Sequence, residues 1–284
     1  MDKNKFIKEL FYVLSWQLGK EVEMKQKRVW KNNGASYEGL VIEKLEEELS
    51  PVISLDKCYE DFEKGISMQE ISEQVLKEYR QTAGKVSLLS QQDIWSYERI
   101  KDRLYVEIVN KEWNEQYLEH KYYVPFLDLA VVYYIDTQVD YKEAPSHRGT
   151  AVTKDIFKIW SVEPEVIWKQ VLENMEKESR FLMVIVTEKE NSLMTFEDAF
   201  HKNQGALALL QKPILDEAKK KIGESFYILP VSVFELMIVP ESQADEVEEM
   251  KKAIIESNAE MPAEYLLSNS VYYYGKKGEV EIAG

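Results

Sequence analysis

Few side chains in this sequence could do chemistry: three histidines, one cysteine and some clustered carboxylates. His120, His147 and His201 stand far apart, so the closely spaced helical pair used by zinc enzymes cannot form. Each reads as an ordinary loop or surface histidine. Cys58 would be a nucleophile only as a thiolate, and its neighbours Asp56, Glu60 and Asp61 disfavour that charge. It reads as a semi-buried structural cysteine. Asp128 is the strongest catalytic candidate, because it interrupts the apolar run 124–135. A buried carboxylate costs several kcal/mol unless it is paired or hydrogen-bonded. The plainer reading puts Asp128 at a bulge or strand start, accepting from backbone amides after Pro125.

Oxygen ligands for magnesium or calcium are available at Asp136 and Asp140, and in the cluster Asp56, Glu60, Asp61 and Glu63. With 51 Asp+Glu in the chain, a solvated face is the simpler account, and no metal site is assigned. Nuclease-like Glu-x-Lys pairs at Glu23/Lys25 and Glu249/Lys251 carry little weight where 31% of residues are charged. There is no phosphate loop, no dinucleotide glycine signature and no nucleophile elbow, so no cofactor is implied.

The 17 tyrosines are more unusual, and some form runs: Tyr122-Tyr123, Tyr133-Tyr134 and Tyr272-Tyr273-Tyr274. Successive residues of a strand face opposite sides, so each run sends rings to the core and to the surface. Exposed tyrosines suit a protein partner, which makes Tyr272, Tyr273 and Tyr274 the binding candidates. The alternative is that strands simply favour aromatics.

The elements that must hold these residues follow from spacing. Phe6, Ile7, Leu10, Phe11, Leu14 and Leu18 fall on one helical stripe. Asp2 and Glu9 argue against a signal peptide there. Strands are predicted over 21–31 and 37–45 around the turn Asn32-Asn33-Gly34, with a solvated turn at 46–48, a short strand at 51–55 and an acidic segment at 56–64. Ser67 and Glu70 have capping-box spacing for a helix ending near Gly84. Apolar patterning lapses over 84–92, which separates an expected unit 1–84 from a second, 93–284.

In the second unit, strands are expected at 103–109, 124–135, 181–187, 205–210, 226–229, 234–239, 271–274 and 279–282. A loop is expected at 137–150, and helices after Ser161, at 197–203, at 214–222 and at 245–257 with Ser242 as cap. Strands cluster in pairs rather than alternating with helices. That pattern predicts an α+β fold of mostly antiparallel sheets with flanking helices.

The 284 residues are 45% hydrophobic, as in an ordinary globular protein. The longest apolar stretches are broken by Asp128 and Glu235 and fall short of the roughly 20 residues a membrane span needs. A net charge of -15 repels phosphate backbones and anionic lipid. The expectation is a cytoplasmic protein binding neither nucleic acid nor membrane, with a protein as partner.

Several segments carry a family resemblance: Asn32-Asn33-Gly34 with Gly39-Leu40-Val41-Ile42, Ser50-Pro51-Val52-Ile53-Ser54-Leu55 with Tyr59, and the run from Val124-Pro125-Phe126 through Tyr133-Tyr134. Phe226-Tyr227-Ile228-Leu229-Pro230 and Leu267-Ser268-Asn269-Ser270-Val271-Tyr272-Tyr273-Tyr274 complete the set. Together they resemble domain-of-unknown-function family 5688, of low-GC Gram-positive bacteria. The part after about residue 100 is also similar to a second uncharacterised bacterial family. The resemblance implies a bacterial, cytosolic scaffold and supplies no activity, cofactor or catalytic residue.

Function is therefore read first as a non-enzymatic acidic interaction or regulatory protein. The alternative is an enzyme or small-ligand-binding protein with a carboxylate site near Asp128. A third reading is an acidic antagonist of a nucleic-acid-binding protein, which the net charge would assist.

Overall fold

The computed structural model describes residues 1–19, 21–44, 52–86, 89–137, 149–178, 181–188, 191–198 and 205–284. It divides into two units. The first comprises Met1–Lys31 and Ala35–Ile94, with a short piece after Asp136; the second comprises Asn32–Gly34, Trp95–Asp136 and the later chain.

In the first unit, the Asp2 carboxylate accepts from the Lys5 amide at 2.9 Å and caps helix α1, Lys3–Leu18. Strands β1, Val22–Trp30, and β2, Ser36–Lys44, pair antiparallel from Val22↔Lys44 to Trp30↔Ser36. Their turn places Asn33 at φ 56° and Gly34 at φ 73°, the left-handed region that Asn and Gly tolerate. Strand β3, Val52–Ser54, joins β2. Residues 46–48 lie outside the described residues.

The acidic segment expected at 56–64 is a helix, α2, Leu55–Glu63, capped by Ser54 Oγ accepting from the Lys57 amide at 3.2 Å. Its charges hid a stripe of Leu55, Cys58, Tyr59 and Phe62 that packs into the core. Helix α3, Met68–Val86, opens on the expected capping box: the Ser67 amide donates to Glu70 Oε2 at 3.1 Å and the Glu70 amide to Ser67 Oγ at 3.2 Å. It continues past Gly84, and a short helix α4, Gln91–Ile94, follows. Phe6, Leu10, Leu14, Leu40, Ile42 and Ile71 form the centre of this unit's core.

The second unit begins with α5, Tyr97–Ile100, and β4, Leu104–Asn110. Next come α6, Glu115–Leu118, β5, Tyr123–Phe126, β6, Leu129–Asp136, and β7, Gly149–Ala151. The single strand expected at 124–135 is in fact the hairpin β5–β6, turning at Leu127-Asp128 with Leu127 at φ 54°. Apolar residues continue through the turn, so hydrophobic pattern alone could not show it. β6 is central, with β4 on one side and β5 and β7 on the other. The expected loop at 137–150 lies largely outside the described residues.

Thr153 caps α7, Lys154–Trp160. Ser161, expected to start a helix, instead ends α7 at φ 49°, and α8, Pro164–Glu178, starts at a proline suited to the first helical turn. Strands β8, Phe181–Glu188, and β9, Asn191–Asp198, form a hairpin. Glu197 and Asp198 thus belong to a strand rather than the helix expected at 197–203, whose remainder lies outside the described residues. Gly205–Leu210 is a buried 3-10 turn rather than a strand; a short apolar run looks alike in either form.

Helix α9, Lys212–Ile222, ends at Gly223 with φ 89°. Then come β10, Phe226–Pro230, β11, Leu236–Pro240, α10, Val247–Ala259, β12, Tyr272–Tyr274, and β13, Val280–Ile282. Glu246, not Ser242, holds the cap position of α10, and the Ser242 hydroxyl donates to Glu224 Oε1 at 2.6 Å. The six-stranded sheet runs β13-β12-β10-β11-β9-β8. All recorded strand pairs are antiparallel, so the fold is α+β as expected.

Asn32 and Asn33 gather with the buried Asn114 inside the second unit. The Asn33 amide donates to Asn114 Oδ1 at 2.7 Å, and Asn114 Nδ2 donates to Asn32 Oδ1 at 2.9 Å. No helix among the described residues is long and apolar enough to cross a membrane.

Candidate functional site

Two neighbourhoods of the second unit gather polar side chains around a cavity, and β12 contributes to both. The first centres on Asp128, in the turn between β5 and β6. Ser268 Oγ donates to its Oδ2 at 2.5 Å, Ser270 Oγ to the same oxygen at 3.0 Å, and the Tyr272 hydroxyl to Oδ1 at 2.8 Å. The Asp128 carbonyl accepts from the Lys111 amide at 3.0 Å. The expected backbone donors to the carboxylate are thus replaced by side-chain hydroxyls. The available signal was three hydroxyl side chains spaced closely as Ser268-x-Ser270-x-Tyr272.

Tyr272 is fully buried. Burial, then the Asp128 charge, pushes its phenol well above its ordinary range, so it stays a proton donor. A cavity of about 710 Å³ borders Asp128 and is also lined by Asn110, Lys111, Glu115, Lys154 and Ser270.

The second neighbourhood is a cleft of about 610 Å³, walled by Phe126, Tyr133, Trp168, Leu209, Leu215 and Tyr274. Alternation along β6 gives Tyr133 to this face and Tyr134 to the other. At one end, the Tyr274 hydroxyl donates to Asp216 Oδ1 at 2.6 Å. Lys212 Nζ donates to Asp216 Oδ2 at 2.9 Å and to the Tyr274 oxygen at 3.4 Å.

These bonds, led by the one from Tyr274, hold the Asp216 carboxyl below its usual range, and Asp216 in turn raises the Lys212 amine. Burial, then the bond to Asp216, raises Tyr274. Gly278 lies against this group: a Cβ there would come within 2.6 Å of Lys212 Nζ. Gln211, between the cleft residues Leu210 and Lys212, is buried, and its Nε2 has no hydrogen-bond partner among the described residues.

The structure thus brings Asp128 together with Tyr272 and sends Tyr274 to the cleft. The surface expected of Tyr272–Tyr274 needs correction. Tyr272 and Tyr274 are 0% and 1% exposed, because alternation turns both inward. Only Tyr273, half-buried, faces the other way, its ring 5.0 Å from that of Tyr227. Among the described residues the most exposed aromatics are instead on α1, where Tyr12 is 64% and Trp16 76% exposed.

Sequence reading missed Lys212 and Asp216; their i,i+4 spacing at the start of α9 was the available signal. It also missed Lys121, whose Nζ lies 2.8 Å from the Tyr117 ring centroid and whose amine burial pulls down to about 7.

The other candidates are scattered. His120 is exposed beside Glu119, and His147, His201 and Asp140 lie outside the described residues. Asp136 is buried. Asp56 pairs with Lys3 at 3.0 Å and accepts from the Glu38 amide at 3.1 Å. Cys58 is buried, and its thiol is pushed up to about 11, first by burial and then by Glu78 and Asp61.

A family model described as a family of unknown function (DUF5688) matches residues 3–276. No curated protein and no solved structure matches the chain.

Proposed function

The chain belongs to the DUF5688 family, whose function is unknown, and from the geometry of its second unit we propose that the protein binds a small apolar molecule in the cleft between Tyr133, Trp168 and Tyr274. The carrying observation is the wall itself: aromatic and aliphatic side chains from β5, β6, α8, α9 and β12 surround about 610 Å³. Small-molecule sites typically occupy about 300–1,000 Å³ and are mostly apolar with a few convergent polar groups. Val124, at the rim, is 38% exposed despite being apolar. The test is calorimetric titration with short alkanols and flat aromatics, repeated on Val124→Trp and Val280→Trp. Saturable binding lost in both variants supports the reading, and binding indifferent to both refutes it.

A protein partner is the second reading, and Tyr12 and Trp16 on α1 favour it. Their rings meet edge-on at 6.2 Å while remaining largely exposed. The net charge of -15 would steer a basic partner towards the protein. Affinity capture from the native host with wild type and Trp16→Ala tests it; identical captures would remove the support from α1.

A further inference from the structure

Independently of the apolar cleft, we propose that the cavity beside Asp128 binds a neutral sugar, whose hydroxyls pair with Asp128, Asn110 and Asn269. The carrying observation is that both amides on its wall have a committed oxygen and an uncommitted nitrogen. Asn110 is 4% exposed and lines the cavity. Its Oδ1 accepts from the Trp113 amide at 3.0 Å. A backbone N–H can only donate, so this bond fixes which way the side-chain amide points. Asn110 Nδ2 is left without a hydrogen-bond partner among the described residues. It is not sealed in, because among them only Gln211 Nε2 is both sealed and unpartnered. Asn269 repeats the arrangement. Asn258 Nδ2 donates to the Ser268 carbonyl at 3.2 Å and to Asn269 Oδ1 at 2.8 Å. The carbonyl fixes Asn258, Asn258 fixes Asn269, and Asn269 Nδ2 has no partner among the described residues.

The same wall holds an acceptor. A carboxylate offers about four lone-pair sites, and hydroxyls occupy one on Oδ1 and two on Oδ2 of Asp128. Oδ1 therefore keeps a free lone pair. A hydroxyl suits this set, because it donates to a carboxylate while accepting from an amide. A carbonyl could only accept, and an ammonium could only donate. Neighbouring hydroxyls on one ring answer the amides and the carboxylate together. The charges favour neither an anion nor a cation: Lys111, Lys154, Glu112, Glu115 and Glu119 line the cavity and are all exposed, where water screens them. Half-buried Trp113 and Tyr123 supply ring surface for the apolar C–H face of a sugar.

The test follows the side-chain NH2 signals of Asn110 and Asn269 by proton–nitrogen NMR while glucose, galactose, mannose, maltose and cellobiose are titrated to about 50 mM, enough to fill a site of millimolar affinity. Glucuronate, glucosamine and cyclohexanol are the comparison probes. The expected result is a saturable shift of both NH2 signals in wild type with at least one neutral sugar, and none with cyclohexanol. Tighter disaccharides would mark a glycan as the source and equal binding a free sugar; either supports the assignment. Asn269→Asp keeps the oxygen for Asn258 and removes the free donors, so it should weaken binding about tenfold. Val280→Trp, in the apolar cleft, should leave sugar binding unchanged. Melting curves establish that each variant is folded, and the wild-type shifts need no variant. Tightest binding of glucuronate or of glucosamine would overturn the neutral assignment, in favour of the lysines or the carboxylates. Cyclohexanol binding as well as the sugars would overturn the role of the hydroxyls. Neither NH2 signal moving with any sugar would overturn the site itself and leave the apolar cleft standing.

Discussion

Tyr272 donates its hydroxyl to Asp128 Oδ1 at 2.8 Å, joining β12 to the turn between β5 and β6 across more than half the second unit's sequence. With Ser268 and Ser270 on Oδ2, the carboxylate gathers three hydroxyls from one short segment, Ser268 to Tyr272. Asp128 is half-buried and Tyr272 fully buried, so the contact is poorly screened. This one residue ties the β5–β6 hairpin to β12, which lies between β13 and β10 in the six-stranded sheet.

Asp128→Ala is therefore expected to destabilise the protein by about 2–3 kcal/mol, because it strands buried hydroxyl donors. Asp128→Asn, which keeps one carbonyl acceptor, should cost about half as much. Tyr272→Phe should cost about 1.5–3 kcal/mol, the range for hydrogen bonds to charged groups. Urea unfolding measures all three. A change under about 0.5 kcal/mol for Asp128→Ala, the size of an ordinary surface substitution, would show that the carboxylate does not brace the strand.

The same pair sets an alkaline limit. Burial and the Asp128 charge raise the Tyr272 phenol above the ordinary 10.0. A group whose folded pKa is raised holds its proton more tightly when folded. Its contribution is complete below the unfolded pKa and is lost as pH climbs from about 10 towards the folded value. Stability followed by urea midpoint from pH 8 to pH 11 should fall above about pH 10. Tyr272→Phe should fall less steeply. Parallel slopes in the two proteins would contradict the assignment of this titration to Tyr272.

How far this arrangement was legible in the sequence differs by element. The α1 stripe, the Asn32-Asn33-Gly34 turn and the Ser67/Glu70 capping box are local devices, and each stands where its spacing put it. Elements masked by composition were harder. Acidic residues concealed α2, and unbroken apolar residues concealed the turn at Leu127-Asp128 and the 3-10 form of Gly205–Leu210. Asp128 stood out because a carboxylate in an apolar run needs a reason. Its partners lie 140 to 144 residues away, beyond any local pattern. The cleft was least visible, since Phe126, Tyr133, Trp168 and Leu215 each read simply as core residues and meet only in the folded chain.

Cys58 gives the last test, in the first unit. Its thiol is 8% exposed on the inner face of α2 and is pushed up to about 11, so the thiolate fraction near pH 8 is very small. Thiol reagents need both thiolate and access. Labelling of native protein with a chromogenic disulfide at pH 8 should therefore proceed only through opening of α2. Its rate should rise steeply with urea at concentrations below the unfolding midpoint. Fully unfolded protein should react at the rate of a free cysteine, whose thiol ionises at its ordinary 9.0 rather than near 11. Ser54→Ala removes the cap of α2, costs about 1 kcal/mol and should speed native labelling about fivefold if opening of that helix is the gate. Fast labelling of the native protein, unchanged by urea or by Ser54→Ala, would show Cys58 to be an accessible thiol and reopen a chemical role for it.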